Sequence, residues 1–304
     1  MEDFKMYKQQ IDENIDKYIK NIEIENIKNI LLWCFKDGKR LRPMIALDVY
    51  NRNLNKYDRV GDSKKIMELC LAVECLHTSS LILDDLPCMD NDNLRRNRES
   101  CHIRFGETNA YLISYYLIND SLKLINKNIH DNEMIKDDFK KKIDLLDLFM
   151  LNYQDVLNGQ FRDIYPIKII QKNEINFIGK IKRDYLIKII SDKTSPFFDL
   201  SFILGYVLSG GEFKNISKLR KLSKMFGLLF QISDDFEDRN EDLERNNDFI
   251  LNYCIIMGEE KAYDDFTDLV KNFRDGLREL DLYSDFFKYI LEYLIIRVKK
   301  NLNN

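Results

Sequence analysis

The chain has 304 residues, 45% of them hydrophobic, which is enough apolar material for a large shared core. Its 47 Lys and Arg face 51 Asp and Glu, a net charge of −4 that argues against a general nucleic-acid binder with a net basic footprint. Only 11 glycines and 4 prolines are present, no Gly/Pro/Ser-rich stretch marks a linker, and no run of eighteen apolar residues marks a transmembrane segment, so residues 1–304 are expected to form a single domain.

Apolar residues recur at helical spacing almost throughout. Phe4, Tyr7, Ile11, Ile15, Tyr18 and Ile22 form one stripe over residues 4–22, and residues 66–84 are apolar on most sides. Further helices are expected near 107–125, 136–160, 182–209, 215–238, 246–271 and 283–300, with a loop at 125–135 and a turn at Gly210–Gly211. Alternating strand patterns are missing, so the expected fold class is all-α, a helical bundle. The cysteines Cys34, Cys70, Cys75, Cys88, Cys101 and Cys254 include no C-x-x-C pair. They read as small buried hydrophobes in a reducing compartment, the cytoplasm, or an organelle if a leader was removed.

Two acidic clusters each end an apolar helix: LILDDLPCMDNDNLRRNR at 81–98 and FQISDDFEDRNED at 230–242. Asp234 and Asp238, four apart, share a helix face, where two like charges oppose the helix unless a cation lies between them. An all-oxygen donor set of this kind suits Mg²⁺, which keeps several waters and completes its shell with substrate phosphates. Asp84 and Asp90 are six apart, on different faces of a regular helix, but Pro87 distorts the chain between them and can swing Asp90 back beside Asp84. Arg95, Arg96 and Arg98 follow at once, donors suited to diphosphate oxygens. Each cluster taken singly reads more simply as a solvated helix end.

At these residues the sequence resembles the trans-isoprenyl diphosphate synthase family, which includes farnesyl and geranylgeranyl diphosphate synthases, and the resemblance spans most of the chain. Asp84-Asp85-Leu86-Pro87-Cys88-Met89-Asp90 is similar to the family's first aspartate motif in its longer form. Asp234-Asp235-Phe236-Glu237-Asp238, after Phe230-Gln231, is similar to the second. Gly38-Lys39-Arg40-Leu41-Arg42-Pro43, His77-Thr78, Gly159-Gln160-Phe161-Arg162-Asp163 and Lys193-Thr194 resemble its other segments, in the family's order.

The resemblance implies the isoprenoid-synthase type of helical bundle and a prenyltransferase that condenses isopentenyl diphosphate with an allylic diphosphate by Mg²⁺-assisted ionisation. Asp84, Asp90, Asp234 and Asp238 would hold three Mg²⁺ ions. Arg95 and Lys193 would reach the allylic diphosphate, and Lys39, Arg42, His77 and Arg96 the diphosphate of isopentenyl diphosphate. Thr194 and Gln231 would flank the reacting carbons, and with Lys193 are the expected catalytic group. Ser79 and Ser80, five and four residues before Asp84, stand where bulky residues would floor the product tunnel, so a geranylgeranyl (C20) or longer product is expected. A homodimer is implied, with a heteromer as the variant.

Three departures from the family pattern stand out. The usual lysines after the second motif are absent, with Arg239 and Arg245 at other spacings. Asn97 replaces a usual Gly, and LISYYLIND at 112–120 lacks the family's small-residue triplet. These keep open a weakly active or regulatory subunit of a heteromeric synthase. A class I terpene cyclase is the other alternative, against which Lys39, Arg42 and His77 argue.

Overall fold

The computed structural model describes residues 2–135, 138–164, 180–244 and 252–302. In chain order they form helices α1 Glu2–Lys20, α2 Glu25–Phe35, α3 Leu41–Lys56, α4 Ser63–Asp84, α5 Cys101–Phe105, α6 Glu107–His130, α7 Phe139–Ile164, α8 Lys180–Lys193, α9 Ser195–Leu208, α10 Ile216–Glu244, α11 Tyr253–Met257, α12 Glu259–Glu279 and α13 Asp285–Asn301. The all-α expectation holds, with a small hairpin added: β1 Leu94–Arg95 pairs antiparallel with β2 Arg98–Glu99. Helices α2 and α3 were not foreseen. The loop expected at 125–135 is helical to His130, and the long helix expected at 182–209 breaks at Thr194. Of the segments expected at 136–160 and 246–271, residues 136, 137 and 246–251 lie outside the described residues.

Contacts divide the chain into two units, residues 1–147 with 200–211, and residues 148–199 with 212–304. In the first, α4 is the central rod, packed chiefly against α6 and α3. By length and composition α4 alone among the described helices could cross a bilayer, but 67% of that apolar stretch is buried inside the protein. Its Glu74 is 1% exposed and binds Arg40 Nη1 at 2.7 Å. A helix buried on most sides is apolar all round for that reason, so α4 is a core helix. Its N-terminus is capped by Asp62, whose carboxylate accepts from the backbone N–H groups of Lys64 and Lys65. Gly205 of α9 lets the chain approach α3 closely, since a Cβ there would stand 2.6 Å from the Ala46 carbonyl oxygen.

The second unit is organised on α10, which contacts α8, α11, α12 and α13. A run of buried phenylalanines links these helices. Phe198 and Phe226 meet edge to face at 4.9 Å between centroids, Phe226 and Phe273 are 5.3 Å apart, and Phe273 and Phe287 5.9 Å.

Candidate active site

In the first unit the sequence motifs gather around the C-terminal half of α4. Arg40 sits in the left-handed region at φ 56° and is 5% exposed. Its guanidinium binds Glu74, Asp12 at 2.8 Å and the Phe35 carbonyl, so it is a structural anchor for the turn. Gly38 is required there because a Cβ would collide with that pinned guanidinium, 2.0 Å from Nη1. The anchored turn leaves Lys39 exposed and starts α3 so that Arg42 Nη1 lies 3.0 Å from His77 Nε2. Arginine can only donate, so Nε2 accepts and the imidazole proton sits on Nδ1. Burial, with Arg42, Arg96, Arg95 and Arg40 around it, holds the His77 pKa well below its ordinary value. His77 is therefore a neutral member of a cationic cluster.

Helix α4 ends at Asp84, and the Pro87 turn does fold Asp90 back: the Asp90 backbone N–H donates to the Asp84 carbonyl at 2.9 Å. Asp84 is half-buried and Asp90 exposed, whereas Asp85 points inward, 2% exposed, and accepts from Arg95 Nε at 2.8 Å. Burial raises the Asp85 pKa against the pull of Arg95. Arg95 is thus fixed by a carboxylate beside the one expected to hold metal.

The hairpin turn explains Asn97. Arg96 and Asn97 both have positive φ, 55° and 59°, the geometry of a tight two-residue hairpin, and Asn tolerates it well without being Gly. The turn delivers Arg96 Nη1 to the carbonyls of Lys36, at 3.1 Å, and Cys34, at 3.3 Å. Arg98, in contrast, stacks over the Trp33 ring at 3.5 Å to the centroid, and Arg104 lies over the same ring at 4.0 Å. A small open cleft adjoins this group, lined among others by Trp33, Thr78, Ile82, Arg95, Arg96 and Cys101. The hydroxyl of Thr78 is buried there without a hydrogen-bond partner.

Ser79 and Ser80 lie on the same helix, their hydroxyls bound back to the carbonyls of Leu76 and His77 at 2.7 and 2.9 Å. His102 is buried, its Nδ1 3.0 Å from Ser100 Oγ, and His130 is exposed.

The second unit carries the other group. Helix α8 ends at Lys193, Thr194 forms the turn, and Ser195 begins α9, so the chain breaks at the Lys-Thr pair, with Pro196 in the first turn of the new helix. Two glycines bring neighbours onto that break. A Cβ on Gly159 of α7 would lie 2.5 Å from the Lys193 backbone nitrogen, and one on Gly227 of α10 2.4 Å from Ser195 Oγ. Gln231 lies one turn beyond Gly227. Its Nε2 donates to Asp235 Oδ1 at 2.8 Å.

Asp235 also accepts from the Tyr253 backbone N–H at 2.7 Å. Burial, aided by the charges of Asp234 and Asp242, pushes its pKa up to about 7. Asp235 therefore faces inward, as Asp85 does, while Asp234 is half-buried and Asp238 exposed on the outer face. Burial and the neighbouring carboxylates of Asp234, Glu237 and Asp242 raise the Asp238 pKa. Among the described residues no three His, Cys, Asp or Glu side chains converge as a ready metal cage. Mg²⁺ requires none, binding through one or two carboxylates plus waters and phosphates, and mutually repelling carboxylates fit it.

Sequence reasoning missed Arg297. This residue of α13 is 9% exposed, donates from Nη1 to Asp234 Oδ1 and from Nη2 to Glu237 Oε2, and its Nε is buried without a partner. A lone cation in the apolar stretch Leu294-Ile295-Ile296-Arg297-Val298 was the available signal. Arg239 pairs with Glu259 at 3.5 Å, and Arg245 and the side chain of Asp163 lie outside what the structure describes.

Residues 24–250 match the polyprenyl synthetase family, and the chain belongs to it. The chain is 30% identical over 296 residues to geranylgeranyl pyrophosphate synthase 4 of Arabidopsis thaliana, covering 92% of this chain and 74% of that one. It is 31% identical over 233 residues to the farnesyl diphosphate synthase of Bacillus subtilis, covering 76% and 73%. The crystal structure of a geranyltranstransferase from Thermotoga maritima shares its fold at a TM-score of 0.76 and 23% identity, covering 98% of this chain and 99% of that one. The chain is accordingly an enzyme of the isoprenyl diphosphate synthase family, whose members typically depend on Mg²⁺.

Proposed function

We propose that this trans-prenyltransferase adds isopentenyl diphosphate to an allylic diphosphate and stops at geranylgeranyl diphosphate or beyond. The observation that carries the substrate assignment is the cluster of Arg42, neutral His77, Arg95 and Arg96 beside the folded-back Asp84–Asp90 turn. Four basic side chains in one cluster, three of them permanently charged and two of these, Arg95 and Arg96, lining the cleft, suit a diphosphate and have little use for a neutral substrate. In this reading Arg42, Arg96, Lys39 and the Nδ1–H of His77 hold isopentenyl diphosphate. Arg95, oriented by Asp85, and Lys193, placed at the helix break, reach the allylic diphosphate.

Asp84, Asp90, Asp234 and Asp238 would hold Mg²⁺, three ions in this reading, which supplies charge neutralisation to the departing diphosphate. Thr194 and Gln231 offer dipoles to positive charge on the allylic carbons, Gln231 through its carbonyl while its amide is tied to Asp235. The two serines at 79 and 80 support the longer product, because neither fills the level above the first motif.

The test is a product chromatogram. Purified protein, Mg²⁺, isopentenyl diphosphate and dimethylallyl, geranyl or farnesyl diphosphate are expected to give C20 or longer diphosphates. A product that stops at C15 refutes the chain-length reading. A cyclic hydrocarbon identifies a class I terpene cyclase, and turnover only after a second synthase subunit is added identifies a regulatory chain.

The proposal extends to a homodimer. Leu112 and Tyr115 of α6 are each 63% exposed, and Leu122 continues the same face. An apolar stripe on a helix of this length is unusual on a free surface and suits a self-complementary contact. Light scattering is expected to give twice the chain mass, and Leu112→Glu with Tyr115→Glu is expected to give the monomer. An unchanged dimer in the double variant would place the contact elsewhere.

A further inference from the structure

Arg297 connects α13 to the second aspartate motif by a contact that the reaction as read above does not use. One guanidinium bridges two carboxylates three residues apart on α10, Nη1 to Asp234 and Nη2 to Glu237. The side chain is 9% exposed and lies between the buried Leu294 and Val298 on its own helix, so it is held and not merely drawn in from solvent. The acidic end of α10 bears Asp234, Asp235, Glu237, Asp238 and Asp242, and its other described cation, Arg239, is engaged with Glu259. Like charges at this spacing repel in solvent, and more strongly when half-buried. Arg297 relieves that repulsion at Asp234 and Glu237.

We propose that Arg297 is the resident counter-ion of the second aspartate motif, holding Asp234 and Glu237 when no divalent cation is bound and yielding Asp234 when one binds. This inference rests on the reading of Asp234 as a metal-holding carboxylate. A dication and a guanidinium cannot both draw fully on the Asp234 oxygens, and the fixed positive charge repels an arriving ion a few ångströms away. The chain therefore sets the affinity of this motif for metal below what its carboxylates alone would give. Loading is then favoured when a diphosphate brings its own negative charge. Glu237 remains to receive the guanidinium after Asp234 is released, so no buried cation is left stranded.

The experiment is a direct titration of Mn²⁺, followed by water-proton relaxation without substrate, on the whole protein and its Arg297→Gln variant. The variant is expected to bind Mn²⁺ about tenfold more tightly at the second motif. It is also expected to melt lower than wild type in EDTA and to regain that loss when Mg²⁺ is added. An affinity that is unchanged or weaker overturns the proposal, and so does a melting loss that Mg²⁺ leaves uncorrected. Should Arg297→Gln fail to fold, Arg297→Met fills the same apolar surroundings without charge and carries the same expectation. Asp234→Asn separates this inference from the reading beneath it: if that variant binds as much Mn²⁺ as wild type, Asp234 holds no metal and the earlier assignment fails first.

Discussion

Asp84→Ala and Asp234→Asn are each expected to lower kcat/KM for prenyl transfer by at least about 10³-fold, roughly 4 kcal/mol of transition-state stabilisation. Asp84 closes α4 at the point where the chain folds back to Asp90, so its side chain is the last on a rigid rod that also presents His77. Loss of its carboxylate removes oxygen ligands, and circular dichroism and melting are expected to stay close to wild type. Asparagine is the better choice at 234, because its amide oxygen still accepts from Arg297 and the helix pair stays intact. Steady-state kinetics with saturating Mg²⁺ checks both. Residual activity within tenfold of wild type at either position would remove that carboxylate from the metal-holding set.

The second large effect is on stability. Glu74→Ala is expected to destabilise the first unit by about 3–5 kcal/mol, read from the midpoint of urea unfolding. Glu74 and Arg40 are 1% and 5% exposed and 2.7 Å apart, and Asp12, the other carboxylate on that guanidinium, is itself partly solvated. Removal of one partner leaves a buried charge without adequate compensation, which costs more than the pair contributes. The double variant Arg40→Met, Glu74→Leu replaces the pair by apolar chains of similar volume and is expected to recover most of the loss. Because Arg40 anchors the turn between Lys39 and Arg42, Glu74→Ala is also expected to raise KM for isopentenyl diphosphate. A single variant as stable as wild type would show that Asp12 and the Phe35 carbonyl suffice.

The elements that were legible in the sequence are those whose burial follows a simple period. Helix α1 shows its stripe plainly, with Tyr7, Ile11, Ile15 and Ile19 buried, and α4 shows near-continuous apolarity. Helix α3 was not legible, because its inner face carries Asp48 and Asn53 among the apolar residues. Both are held by distant partners: the Asn53 amide N–H donates to Ser209 Oγ at 2.9 Å, and Asp48 accepts from the Tyr7 hydroxyl at 3.4 Å. The hairpin was too short to show an alternation, with two residues in each strand.

At the site, the spacing of Asp84, Pro87 and Asp90 correctly foretold the fold-back, since proline's missing donor acts locally. Arg40 beside Glu74, and Arg297 beside Asp234, lie outside any local rule: each pair is joined only by the packing of separate helices. The same holds for the inward turn of Asp85 and Asp235. In both motifs the second aspartate is a buried strut and the first stays half-buried, a division that identical side chains cannot announce.

Trp33 is the sole tryptophan of the chain, and it lies between the guanidinium groups of Arg98 and Arg104, on the edge of the cleft that Arg95 and Arg96 line. Its indole emission therefore arises from one place in the molecule and is perturbed by two adjacent positive charges. The protein thus carries a built-in optical probe of the arginine-lined cleft, needing neither label nor second fluorophore.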